Sequence, residues 1–222
     1  TGDITVTSSN LCFTGTGTLN VTVYSDNVWL GNNTDWDDIN NWTCGVVPAS
    51  NISGTIPSNP VGGKFPVIST NNTSECLDLT IDNAANITIT SGSDITIYGN
   101  ITNNGNSVLG PGKVIFAGTN QTVNGVIKTG SITIDFGSNV TLTSPGNTLS
   151  DILLCNGILN TNGYLTLLST ATGTALVNGS GIGFINGTIT QQRFISASKN
   201  KGYKHFSTSF SNSKVGDFAN FM

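Results

Sequence analysis

The feature that most constrains this chain is a set of short strand-like runs that returns at a near-constant interval. Leu79-Thr-Ile-Asp82, Asn86-Ile-Thr-Ile-Thr90, Asp94-Ile-Thr-Ile-Tyr98 and Asn100-Ile-Thr-Asn-Asn-Gly105 form one series. Ile132-Thr-Ile-Asp135, Asn139-Val-Thr-Leu-Thr143, Asp151-Ile-Leu-Leu154 and Asn156-Gly-Ile-Leu-Asn-Thr-Asn-Gly163 form a second. The first two members of each series repeat at an offset of 53 residues and the later ones at 57, because residues 145–149 add a loop. Such self-similarity marks a repeat architecture. Each unit is a run of four or five residues followed by an Asn/Gly/Ser corner, and no segment carries a capped helical stripe. Strands this short, with no helices for crossovers, predict an all-β fold: a parallel β-helix (β-solenoid) whose coils pair strand on strand. Its β-branched residues stack inside and its Asn residues form ladders at the corners. Ile81, Ile87, Ile134 and Val140 then point inward. A β-sandwich with Greek-key loops is the alternative.

Composition supports many strands joined by tight turns. The 27 Gly and 29 Asn supply turn residues, 36% of the chain is hydrophobic, and only 9% is charged. A disordered chain shows the opposite balance of apolar and charged residues. A net charge of −4 offers no basic stripe to nucleic acid or to an anionic membrane surface. No apolar run approaches the roughly 20 residues of a membrane helix.

Outside the repeats the texture changes. Residues 1–25 hold two alternating runs, Ile4-Thr5-Val6-Thr7 and Leu19-Asn20-Val21-Thr22-Val23, around Gly15-Thr-Gly-Thr18. They are expected to be the closing hairpin of a preceding Ig-like sandwich, with the turn at the glycines. Residues 26–75 hold all three Trp and most of the Pro, and form a cap region. The solenoid is expected over 76–192. From 193 onward, Arg193 and four Lys join Phe194, Phe206, Phe210, Phe218 and Phe221, which is expected to open a following β domain.

Several residues invite a chemical reading. Asp35, Asp37 and Asp38, in a patch that also holds Asn32 and Asn33, could hold Ca²⁺, which needs six to eight oxygens. The run lacks the glycine and terminal glutamate of an EF-hand loop, so a solvated or helix-capping turn is the competing reading. Calcium is the one cofactor considered. Trp29, Trp36 and Trp42 could form a sugar-stacking platform, or could plug an open end of the solenoid, where apolar interior and strand edges need cover. The four cysteines form no C-x-x-C pair, against zinc or redox motifs. An extracellular setting permits a disulfide, expected between Cys44 and Cys76 and worth about 3–4 kcal/mol on the chain-entropy estimate. Cys155, among Ile152, Leu153 and Leu154, reads as a buried thiol, and Cys12 as a residue that could pair upstream.

Catalytic signatures are weak. The single His205 has no partnered Ser or Cys nearby. Asp82 and Asp94 could serve as a carboxylate pair on a glycoside, but they recur as Asp135 and Asp151, which points to repeat corners. Twelve N-x-S/T sequons, among them those at Asn120, Asn139 and Asn186, record the abundance of Asn and Thr.

The spacing Trp29-x-Gly31, Asp35-Trp36, Asn41-Trp42, Gly45-x-x-Pro48, Ile56-Pro57, Pro66-x-Ile68, Cys76-x-x-Leu79-x-Ile81 resembles a repeat module of very large type IX-secreted surface adhesins of Bacteroidota. In those proteins it is followed by runs like Ile101-Thr-Asn-Asn-Gly105 and Val114-Ile-Phe-Ala-Gly118, then by segments like Gln192-Arg193-Phe194 and Phe206-Ser-Thr-Ser209. The resemblance covers about residues 28–210 and carries no active-site residue. It implies β-solenoid rungs, an extracellular cell-surface location and an adhesive or scaffolding role. The expected function is a non-catalytic segment giving reach and stiffness to an adhesin or filament. Its partners would be adjacent domains of the same chain or neighbouring copies in a filament, with surface glycans as further candidates. The alternatives are a carbohydrate-binding module built on the three Trp and a polysaccharide-cleaving β-helix enzyme.

Overall fold

The structure, a computed structural model, describes residues 27–69, 72–106 and 108–194, together with the backbone of 2–10 and 13–21. Residues 195–222, with His205 and the Phe-rich tail, lie outside the described residues, as does Cys12.

From residue 28 the chain winds as a parallel β-helix of about six turns, with three faces per turn. The first face stacks Gly54–Ile56, Leu79–Ile81, Ile101–Asn103, Gln121–Gly125, Asn139–Leu142, Ile158–Asn160 and Phe184–Asn186. The second stacks Asn147–Leu149, Leu165–Leu167 and Ile189–Gln191 on the opening halves of Lys128–Ile134 and Val108–Phe116, with Val67–Ile68 and Thr88–Ile89 as a two-stranded start. The third runs from Thr73–Cys76 and Asp94–Ile97 through the closing halves of the same two long strands to Ile152–Cys155 and Leu176–Val177. Register shifts between Val108 and Lys113 mark where Val108–Phe116 bends from one face to the next. Gly110 sits in that bend at φ +98°, and a Cβ there would run into the carbonyl of Ile89. Glycine therefore lets the strand pass over the coil beneath.

A coil takes between 18 and 32 residues: Lys113 lies over Ser131, Ile158 over Phe184, and in the long first coil Asp35 pairs with Val67. The single coil, and not the 53-residue interval, is the structural repeat. Asp94 and Asp151 do fall on one face three coils apart, as do Ile101–Asn103 and Ile158–Asn160. Leu79, however, belongs to the first face and Ile132 to the third, so the 53-residue match equates different sides of the coil. Both sides carry the same alternation of inward Ile or Leu with outward Thr, which makes them alike in sequence.

The core is a set of aliphatic columns. Ile95, Val114, Ile132 and Leu153 stack on the third face beside Cys76, Ile97, Phe116, Ile134 and Cys155. Leu79, Ile101, Val123 and Leu142 stack on the first. All are buried, including the expected inward residues Ile81, Ile87, Ile134 and Val140. Alternation turns every second side chain inward, and β-branched residues fit the stacked, half-buried surface. The corners bury polar groups with their partners supplied. Gln121 Nε2 donates to the carbonyls of Ile97 and Gly99 while its Oε1 accepts from Gly118 N–H. Asn147 Oδ1 accepts from Ile127 N–H at 2.9 Å and its Nδ2 donates to Ser144 O. Outside, an amide ladder runs Asn186 to Asn160 to Asn139 to Asn120, each Nδ2 donating to the next Oδ1 at 2.8–3.3 Å.

Two expectations about organisation change. Residues 26–75 are continuous with the solenoid: parallel bridges join Val28 to Thr55 and Asp35 to Val67, and Gly54–Ile56 pairs with Leu79–Ile81. The N-terminal hairpin exists as Gly2–Asn10 paired antiparallel with Phe13–Val21, but its connection is residues 11–12, not the glycines. Gly15 and Gly17 lie within the second strand. The shorter connection lets nine residues of each arm pair, whereas a turn at 15–18 would confine the second arm to residues 19–23.

Candidate functional site

The N-terminal end holds the densest group of sequence-marked residues. Trp29, Trp36 and Trp42 are 0%, 0% and 2% exposed. Trp42 stands between the other two, edge to face, with ring centroids 5.2 Å from Trp29 and 4.9 Å from Trp36 and interplanar angles of 76°. That geometry matches the ring quadrupoles. Trp29 Nε1 donates to Lys64 O at 2.7 Å and Trp42 Nε1 to Trp36 O at 2.9 Å, whereas Trp36 Nε1 is buried without a partner. Gly54 opens the first rung onto this cluster: a Cβ there would stand 3.2 Å from the Trp42 ring. The sugar platform is therefore corrected. The indole faces are spent on one another and on the first coil, leaving none for a pyranose, and the three rings plug the end of the solenoid.

The acidic patch wraps this plug as a set of turns. Asp38 caps the short 3₁₀ turn Ile39–Asn41, accepting from Asn40 N–H at 2.9 Å, and also binds the Asn33 amide at 2.6 Å. Those donors, the Asn40 backbone first, hold its carboxyl below the ordinary range. Asp35 accepts from Asp37 N–H. Asp37 reaches to the next coil, accepting from Asn72 at 2.9 Å and Ser74 at 3.3 Å. Loss of hydration raises its pKa, with Asp35 adding to the rise and the two hydrogen bonds opposing it. The three carboxylates thus serve separate turns, and no group of three or more His, Cys, Asp or Glu among the described residues is placed to hold a metal ion. The calcium reading of Asp35, Asp37 and Asp38 is set aside on that geometry.

Asn41, which the sequence marked only within the Asn41-Trp42 pair and with no role of its own, organises the patch. It is fully buried, its Nδ2 donates to Asn33 Oδ1 and Asp35 O, and its Oδ1 accepts from Asn33 N–H. Its one visible signal was its position beside Trp42.

Cys44 and Cys76 are not bonded to each other. Cys76 points into the core column of the third face, its Sγ 3.0 Å from Asp78 O, whereas Cys44 lies in the turn after Trp42. Burial pushes the Cys76 thiol up to about 12. Cys155 is a buried thiol as expected, 4% exposed, with its pKa also raised by burial. The recurring aspartates hold structure: Asp94 pairs with Lys113 at 2.9 Å across two coils, Asp151 accepts from Ser131 Oγ, and the carbonyls of Asp82 and Asp135 close corner turns. A shallow groove lies at the corner between the first two faces, lined by Asn103, Asn104, Val126, Lys128, Ser144 and Pro145. No helix among the described residues is long and apolar enough to cross a membrane.

A family described as a domain of unknown function (DUF8693) matches residues 28–112. The match therefore takes in the Trp plug and the first coils. No curated protein and no solved structure was found to match the chain.

Proposed function

We propose that the chain is a non-catalytic structural or adhesive segment of a larger secreted cell-surface protein, of the kind its spacing resembles in type IX-secreted adhesins. The observation that carries this reading is the rod itself. Six turns at about 4.8 Å per coil extend about 29 Å. Every coil is locked to the next by backbone pairing and by continuous aliphatic columns. The residues that could have served chemistry are committed to the rod: the indoles to its plug, Asp35, Asp37 and Asp38 to turns, Asp94 to an ion pair. Reach and stiffness are what such an object supplies, and its partners are further domains of the same chain or neighbouring copies. An antibody against the solenoid is expected to label intact producing cells. Labelling only after permeabilisation would overturn the surface placement.

A carbohydrate-binding reading keeps one supporting observation, on a surface other than the tryptophans. Thr55, Thr80, Thr102 and Asn124 stand in line on four successive coils of the first face, pointing outward, with no side-chain hydrogen bond among the described residues. A glycan array separates the two readings: the spacer leaves it blank, and a binding module gives selective hits that a Thr80→Val, Thr102→Val variant loses.

A further inference from the structure

The outer surface of the solenoid changes character at the coil that carries Ile152–Cys155. Outward positions on a strand meet water and are ordinarily polar. On the third face one outward column runs Asp94, Lys113, Ser131 and then turns apolar with Ile152 and Leu176. On the first face Asn120 and Asn139 are followed by Ile158 and Phe184. Both columns switch on the same coil, on either side of one corner. That corner adds Phe136 on the coil before and Ile182 on the coil after. They are 83% and 71% exposed, beside 37% at Ile158 and 69% at Phe184. From Ile152 to Gln192 the sequence holds no charged residue, whereas residues 27–151 hold nine Asp or Glu against three Lys, a net −6. At about 150–200 Å² for a whole side chain of this size, the exposed parts of Phe136, Ile158, Ile182 and Phe184 come to roughly 450 Å², as large as the largest apolar patch on a typical monomer.

We propose that this corner is where a second copy of the chain docks, in an antiparallel two-fold contact centred on Ile158. In such a contact each surface must accept its own image, and the layout of the patch allows it. Ile158 lies on the middle coil, Phe136 belongs to the coil before, and Phe184 pairs with Ile158 from the coil after. A two-fold axis through Ile158, perpendicular to the solenoid, sets Phe136 of each copy against Ile182 and Phe184 of the other, and Ile158 against its own counterpart. Charge favours a second copy as well. An uncharged surface meets no like charge in its image, while the net −6 of residues 27–151 disfavours contact between copies along the preceding coils. Two such patches bring together roughly 900 Å² of apolar surface, and their polar rims carry the contact past the ~1,000 Å² that a specific interface needs. An interface of this size holds dimers at micromolar concentrations, so unfolding and distance measurements on more dilute chain report the monomer alone. The inference names the surface by which neighbouring copies meet, and to that extent rests on the spacer reading.

Sedimentation equilibrium of the 222-residue chain between ~1 and ~100 µM, the range in which such a contact forms, tests it. A monomer–dimer equilibrium is expected. Ile158→Lys sets two like charges together at the axis and is expected to weaken association ~100-fold or more. Phe136→Lys alone is expected to weaken it ~10-fold or more. Adding Phe184→Glu to Phe136→Lys pairs opposite charges across the axis, and this double variant is expected to associate ~10-fold more tightly than either single variant. Val61→Lys, at an 88% exposed valine near the opposite end, is the control and leaves the equilibrium unchanged. All four positions face outward, so far-UV circular dichroism and tryptophan fluorescence of the variants should match the parent. A monomer throughout overturns the proposal and assigns the patch to another occupant, the chain's own residues or a different protein. So does a dimer that Ile158→Lys leaves intact, or a double variant no tighter than the single ones. Should Ile158→Lys fail to fold, hydrogen exchange of the parent decides: the amides of Phe184–Asn186 are expected to slow as the dimer forms, and exchange independent of concentration overturns the contact. None of these outcomes bears on whether intact cells are labelled, so failure here and failure of the spacer reading are told apart.

Discussion

Replacing Ile134 probes the inward columns at their midpoint. Its side chain is 0% exposed, stacked between Phe116 on one coil and Cys155 on the next. Burying such a side chain contributes about 1.5–3 kcal/mol. Truncation to alanine adds a cavity term of about 24 cal/mol per Å³ that the closely wound coils cannot collapse, for a total of about 2–5 kcal/mol. Aspartate loses the same burial and also brings a carboxyl with no partner, so Ile134→Asp is expected to exceed ~5 kcal/mol near neutrality, with the excess shrinking in acid as the carboxyl protonates. Phe136, two residues on but 83% exposed, is the control, and Phe136→Ala is expected to fall within about 0.5 kcal/mol of the parent. Urea titration should be followed by far-UV circular dichroism and by tryptophan fluorescence together. All three Trp sit in the first coil, while Ile134 is four coils further on, and stability in a solenoid is passed between neighbouring coils. The dichroism transition of Ile134→Asp should therefore move to lower urea ahead of the fluorescence transition. An Ile134→Asp variant with an unshifted dichroism midpoint, or a Phe136→Ala variant as damaged as Ile134→Ala, would refute the inside/outside assignment.

Trp42→Phe removes a buried N–H from the carbonyl of Trp36, whereas Trp36→Phe removes an N–H that has no partner; the first is expected to be about 1–3 kcal/mol the more destabilising in thermal unfolding. Asp37→Asn is expected to stabilise the fold near neutrality. A carboxyl whose folded pKa is raised favours folding only while protonated, so the variant's advantage should vanish as pH falls below the ordinary aspartate range; an advantage unchanged down to acid pH would contradict the cause assigned to the shift. Cys76 and Cys155 are expected to resist alkylation at pH 8 until the chain unfolds, because burial withholds the thiolate. Native-state labelling of Cys76 at the denatured rate, read by peptide mass, would place it outside the core.

Much of the fold was legible because alternation carries it. Ile-Thr-Ile and Val-Thr-Leu runs named the inward residues correctly, and Asn and Gly marked the corners. The true coil was hidden because its length varies from 18 to 32 residues, so no single offset aligns all the rungs. The first coils were hidden for another reason. Between Val28 and Val67 the parallel pairings are mostly single bridges, too short to leave an alternating run, and the coil is filled by indoles instead of stacked isoleucines. The chemical readings of Trp29, Trp36, Trp42, Asp35, Asp37 and Asp38 failed together. Residue type and proximity in sequence were right, but direction was not: indoles beside an open coil turn in to cover it, and short acidic side chains bind their own backbone.

The central claim is that successive coils stack in parallel register along one axis. Spin labels at Thr80 and Asn186, outward on the first face and five coils apart, measure that stack directly in a background with the native cysteines replaced. At about 4.8 Å per coil the account predicts a single narrow separation near 24 Å along the axis. Moving the second label to Asn160, one coil nearer, should shorten it by one coil spacing. A separation that does not change between the two pairs, or a broad distribution for either, would contradict the solenoid.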